Sequence, residues 1–66
     1  MSWDQVEHNW GQFKGRVQEK WADLTDGEIE DVKGRRKYLV GKIQEKYGIP
    51  KEEAERQVDA FARAIF

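Results

Sequence analysis

At 66 residues the chain has room for one domain, near the size at which folding hides only about 60% of the surface an unfolded chain exposes, so its margin of stability is slim. Twelve basic and thirteen acidic residues leave a net charge of −1 and a pI near 5.8, a balance unlike that of a strongly basic nucleic-acid binder. The absence of cysteine excludes disulfide and thiolate–metal staples and is compatible with a reducing compartment. The start, MSWDQVEHNW, has neither a basic n-region nor an apolar h-region, and no apolar run nears the ~20 residues of a membrane span, so a soluble, unprocessed, cytoplasmic protein is expected.

With 38% charged residues and a mean hydropathy of −0.98 the composition leans toward disorder, yet its eight aromatic residues recur periodically and predict a packed state. Trp3, Val6, Trp10, Phe13, Val17, Trp21 and Leu24 follow one another at steps of three and four, which on a helix confines them to a core-facing stripe about 80° wide. Ser2 with Gln5, and Thr25 with Glu28, fit the capping box and mark two helix starts. Beyond the second, Ile29, Val32, Leu39, Val40, Ile43 and Tyr47 make an equivalent stripe, interrupted by Arg36 where the first has Trp10.

The correspondence is an internal duplication: Phe13 to Trp21 (FKGRVQEKW) returns 26 positions later as Leu39 to Tyr47 (LVGKIQEKY). The two units run over about residues 3–24 and 29–50. A glycine costs about 1 kcal/mol in a helix interior, so some of Gly11, Gly15, Gly34 and Gly41 should be breaks. Gly34 is the best candidate, ending a short helix from about Asp26 before a longer one from Arg35 to Tyr47; by the repeat, a break near His8 or Gly11 is expected too. Gly15 and Gly41 fall at equivalent places away from the apolar stripe, either exposed or crossed closely by another backbone. Gly48 suits a left-handed C-cap with Ile49 folding back, and Pro50 suits the opening turn of a closing helix over about 50–65. On that helix Ala54, Val58, Phe61, Ala62 and Ile65 share one face.

The segments NWGQFKGRVQEKWADLTD (Asn9 to Asp26) and GRRKYLVGKIQEKYGIPKEEAERQVDAF (Gly34 to Phe61) resemble the CsbD-like family of small bacterial stress proteins over nearly the whole chain. Asn-Trp, Lys-Gly-Arg-Val, Trp-x-x-Leu-Thr-Asp and Gly-Lys-Ile-Gln-Glu-Lys-Tyr-Gly fall in family order without gaps. The resemblance implies a compact all-α bundle of four to five short helices, similar to two helical hairpins packed crosswise, made under general stress control in bacteria. It implies no activity and carries no catalytic or ligand-binding residue onto this sequence. The chain departs from the family pattern at His8, Gly11 and Pro50.

No constellation of catalytic residues is visible. His8 is the single histidine, without co-ligands for zinc or a nucleophile to activate. Ser2 and Thr25 read better as caps than as nucleophiles; Glu52 and Glu53 lack the apolar setting that raises a catalytic carboxyl pKa; and no Gly-Lys-Ser/Thr follows Gly11 and Gly15, so no phosphate loop forms. A protein without enzyme activity, metal or cofactor is expected.

Charge is the one feature with functional content. Residues 19–31 hold six acids and one base, residues 33–46 six bases and one acid. Lys33, Arg35, Arg36, Lys37 and Lys42 could contact phosphates, with Tyr38 beside them for base stacking. Acids at helix starts and bases at helix ends would also balance helix dipoles and keep a small protein in solution, and this is the favoured origin of the split, since a binder usually shows a strongly basic total.

Trp3, Trp10 and Trp21 at this spacing are expected in the core rather than around a ligand. The expected protein is thus a monomeric or weakly self-associating, non-enzymatic stress-response bundle acting by binding or protection. The alternatives are a nucleic-acid or polyanion binder using 33–46, a module docking a protein partner through Trp10 or Phe66, and a disordered protectant.

Overall fold

A capping box sets the first reliable corner. Thr25 stands in extended backbone, its hydroxyl accepts from the Glu28 N–H at 3.2 Å, and the Glu28 carboxylate accepts from the Thr25 N–H at 3.0 Å. Two orphan amides of a first turn are thereby satisfied. The computed structural model describes residues 3–65, and within them this box opens the third of five helices: α1 (Asp4–His8), α2 (Trp10–Lys20), α3 (Asp26–Val32), α4 (Arg36–Tyr47) and α5 (Lys51–Ile65). Among the described residues there is no strand. The radius of gyration, 10.6 Å, matches the ~11 Å of a compact chain of this length. The expected all-α bundle is therefore the fold. The Ser2 cap lies outside the described residues.

The first break falls at Asn9, next to His8. The Asn9 N–H and its side-chain amide both donate to the Gln5 carbonyl at 3.1 Å, closing α1 before α2 begins at Trp10. The second falls at Lys33 and Gly34, both in the left-handed region at φ 54° and 75°. The third is the Gly48 C-cap, φ 62°, after which Ile49 packs on the core and the Pro50 carbonyl accepts from the Ala54 N–H at the start of α5. Lysine adopts left-handed backbone only at a cost that glycine avoids. Gly34 is the position that carries the second corner.

One core joins all five helices. Val6 from α1, Trp10 and Val17 from α2, Trp21 and Leu24 from the connection, Ile29 and Val32 from α3, Leu39, Val40 and Ile43 from α4, and Ala54, Val58 and Phe61 from α5 are buried together, with Trp3, Phe13, Ile49 and Ile65 packed at its margin. Trp21 and Phe61 meet with ring centroids 5.2 Å apart and planes tilted by 55°. This is a geometry that favours aromatic pairs beyond their burial.

Each indole also finds an acceptor. Trp3 donates to the Gly34 carbonyl at 2.6 Å, Trp10 to the Ile29 carbonyl at 3.1 Å, and Trp21 to Gln57 Oε1 at 2.9 Å. The Ile29 bond solves a specific problem. The last turn of α3 tightens, so the Lys33 N–H goes to the Glu30 carbonyl and the Ile29 carbonyl takes the indole in place of its ordinary helical donor. Gln18 does a similar service for the α2–α3 connection, donating to the carbonyls of Leu24 at 2.9 Å and Ala22 at 3.4 Å.

Tyr47 departs from its expected place in the stripe. It is 38% exposed, and its hydroxyl accepts from the Asp23 N–H at 3.2 Å. The polar end draws the ring to the rim, where it ties α4 to the α2–α3 connection. Gly15 and Gly41 resolve in favour of exposure to open space. Among the described residues nothing beyond the local helix lies within 4 Å of where a Cβ would stand on either, so no other described backbone crosses them; the close crossing is at Gly34 instead.

Candidate functional site

The basic segment folds around the corner between α3 and α4. Lys33 ends α3, Arg35 is the N-cap of α4, and Arg36, Lys37 and Lys42 follow along that helix. The structure divides the five cations that the sequence grouped. Arg36 turns toward α5, where its Nε and one terminal nitrogen donate to Asp59 Oδ1 at 3.2 and 3.0 Å and its other terminal nitrogen lies 3.7 Å from Glu55 Oε2. It is half-buried and serves to dock two helices. Glu55 and Asp59, four apart and so on one helix face, are the partners that sequence reasoning did not assign; their spacing and the polar interruption at position 36 were the available signal.

Lys33, Arg35 and Lys37 are exposed and Lys42 is half-exposed. None of the four has an ion-pair partner among the described residues. The Arg35 guanidinium instead lies over the Tyr38 ring, 5.7 Å from its centroid, within range of a cation–π attraction. Lys37 and Lys42 border a shallow groove along α4 that also touches Tyr38 and Gly41, with Asp31 and Glu45 completing its lining. Tyr38 is 49% exposed. The structure thus brings Arg35, Lys37, Tyr38 and Lys42 onto one surface and takes Arg36 away from it.

Dipole balance accounts for only part of the charge split. Asp26 and Glu28 do sit in the first turn of α3, Lys33 follows its last, and Lys46 in the last turn of α4 reaches Glu28 at 3.0 Å. Glu28 is held below the ordinary carboxylate pKa, first by the Thr25 backbone N–H and next by Lys46. The start of α4 is the opposite case. It has no acid in its first turn and carries Arg35, Arg36 and Lys37 there, cations at the positive end of a helix, where the dipole disfavours them.

The remaining polar candidates are placed as follows. His8 is exposed at the end of α1. The Thr25 hydroxyl is taken up by its cap, Glu53 accepts from Arg56 and Gln57 at 3.0 and 3.2 Å, and Glu52 is exposed. Trp10 is only 9% exposed and hydrogen-bonded, which removes it as an exposed docking aromatic; Phe66 lies outside the described residues. Among the described residues no three His, Asp or Glu side chains cluster as a metal would require, and no helix is long and apolar enough to cross a membrane.

Comparison with known proteins places this sequence in a family. The CsbD-like pattern matches residues 4–56. Over 62 residues the chain is 56% identical to a UPF0337 protein of Nitrosomonas europaea, a match covering 94% of this chain and 66% of that protein. It is 48% identical over 63 residues to the UPF0337 protein YjbJ of an Escherichia coli O6:H1 strain, covering 96% and 91% of the two, and 50% identical over 58 residues to a UPF0337 protein of Pectobacterium atrosepticum, covering 88% and 84%. A family pattern spanning four of the five helices entirely, together with these identities, means that the chain belongs to the CsbD-like family.

Proposed function

We propose that this chain is a bacterial stress-response protein that works in the cytoplasm without catalysis, by binding or protecting a partner through its surface. Family membership supports the stress role, and the bacterial relatives fit it. The observation that carries the surface role is where the side chains with chemistry have gone. The indoles and Arg36 are consumed in holding helices together and Thr25 in capping α3, while Lys33, Arg35, Lys37 and Lys42 have no ion-pair partner among the described residues, and the last three lie about an exposed tyrosine. The stress role is tested by protein abundance in the source bacterium. It should rise relative to ribosomal proteins in stationary phase, osmotic upshift or heat, and flat abundance in all three overturns it.

A second reading has a specific observation behind it. Cations gathered at the positive end of α4 against its dipole favour a surface that receives an anion, and a polyanion is the ligand class that several such cations suit. Binding to heparin or nucleic acid should then weaken linearly in a plot of log K against log salt. Replacing Arg35 and Lys37 with alanine should lower that slope by about one per residue, whereas Arg36→Ala should cost mainly stability. Salt-insensitive binding sinks this reading.

A further inference from the structure

A surface that only gathered phosphates would have no use for an exposed aromatic ring, yet Tyr38 stands 49% exposed in the middle of the cationic strip. Its surroundings are shaped as well as charged. Arg35, Tyr38 and Lys42 follow at i, i+3 and i+7, one stripe from the N-cap along α4 that flanks the buried Leu39 and Ile43, and the stripe is about 10 Å long from Arg35 to Lys42. Beside the ring, Gly41 leaves open space where any other residue would place a Cβ, and the groove along this face runs over Tyr38 and Gly41 between Lys37 and Lys42. Arg35 is not among the groove's lining, so the guanidinium that covers the ring does not fill it.

We propose that this face binds single-stranded nucleic acid, with one base stacked on Tyr38 above the floor left open by Gly41 and the adjoining phosphates held by Arg35, Lys37 and Lys42. The proposal rests on the polyanion reading and narrows it. A duplex hides the faces of its bases and would meet only the cations, whereas an unstacked base offers a π-face that any sequence provides. Asp31 and Glu45, also in the groove's lining, repel phosphates beyond the strip. They limit the footprint to a few nucleotides, and binding is correspondingly short-ranged and sequence-tolerant.

The test is fluorescence anisotropy of the full chain against labelled oligo-dT, oligo-rU and a duplex of equal length, each at low and near-physiological salt. The single strands should bind more tightly than the duplex at matched salt. Tyr38→Ala should weaken single-strand binding roughly five- to a hundredfold and leave duplex binding unchanged, while Tyr38→Phe keeps the wild-type affinity. A Tyr38 ring resonance shifted on adding oligo-dT would report stacking directly in the unmutated protein. Preference for dT or for rU names the source of the strand, and either supports the proposal. Duplex preference, or single-strand binding indifferent to Tyr38→Ala, overturns the stacking inference and leaves the polyanion reading in place. Failure of all three oligonucleotides to bind at low salt overturns both.

Discussion

The corners after α1 and after α3 do the same job by different means. At Asn9 one residue at φ −111° turns the chain, and both its amides return to the Gln5 carbonyl; nearly any residue can adopt that backbone. At Lys33 and Gly34 two left-handed residues are needed, and a Cβ on Gly34 would stand 2.6 Å from the Glu7 Cα and 3.3 Å from the Glu7 N and O. The second corner is thus a contact point as well as a turn. α1 rests its backbone on it, and the Trp3 indole bonds its carbonyl. Two helix–helix joints in one small protein can look alike in sequence spacing and still differ in what they permit. One tolerates substitution because only the local chain uses it, and the other resists because a second element is built on it.

The largest effect should come from that contact. Gly34→Ala adds left-handed strain to a collision with backbone that cannot rotate away, and should destabilise the fold by about 2–4 kcal/mol. In a domain of this size each kilocalorie lowers Tm by about 4–8 °C, so thermal melts followed by circular dichroism will resolve it easily. Asn9→Ala at the other corner should cost less than about 1 kcal/mol. Equal losses at both positions would erase the distinction between the corners.

Next in size is Trp10→Phe, which leaves the Ile29 carbonyl without the donor it took in exchange for its helical one, beside a small cavity. A loss of about 1–3 kcal/mol is expected. Trp10→Phe also asks how far α3 depends on the first half of the chain, since both Trp10 and Trp3 cap carbonyls at its C-terminal end. Amide exchange should accelerate in α3 more than in α5. Uniform acceleration would mean the indole bond is no more than a share of the common core.

The capping box at the start of α3 should matter less. Thr25→Ala removes one amide's partner and should cost about 1 kcal/mol. Its neighbour gives the pH dependence a sign. Because Glu28 has a lowered pKa in the folded state, the stability it contributes is fully present above the ordinary carboxylate value and is lost as pH falls through the depressed folded value. The gap in stability between wild type and Glu28→Gln should therefore be widest near neutrality and close on acidification. A gap that widened in acid would contradict the assignment.

How far the chain could be read from its sequence follows from which forces are local. The corners at Thr25, Gly34 and Gly48 were legible because capping boxes and left-handed glycines are written in two to four adjacent residues, and the core because helical periodicity marks it. The fates of Tyr47 and Arg36 were not legible, since each is settled by a partner from a distant part of the chain: the Asp23 N–H in one case, Glu55 and Asp59 in the other. The same limit applied to the candidate site. A run of cations is visible in one dimension, but the departure of Arg36 toward α5, and the collection of Arg35, Tyr38 and Lys42 on the outer face, depend on how α4 is rotated against its neighbours. Gly34 as a contact likewise needed the position of α1.

Gly15 and Gly41 should show the smallest effect and one of opposite sign. Each lies within a helix, in α2 and α4, 26 positions apart, with open space where a Cβ would be. Neither has the positive φ that excuses Gly34 and Gly48. Alanine at either position removes the entropic cost of glycine without meeting a neighbour, and should stabilise the protein by about 0.5–1 kcal/mol. If the two halves are duplicates that kept one design, as the repeat suggests, the gains should be equal and additive, because the sites share no partner. An unequal result would locate a difference between the halves that packing does not explain. A loss at Gly41 alone would contradict the open space that the described residues leave where its Cβ would stand.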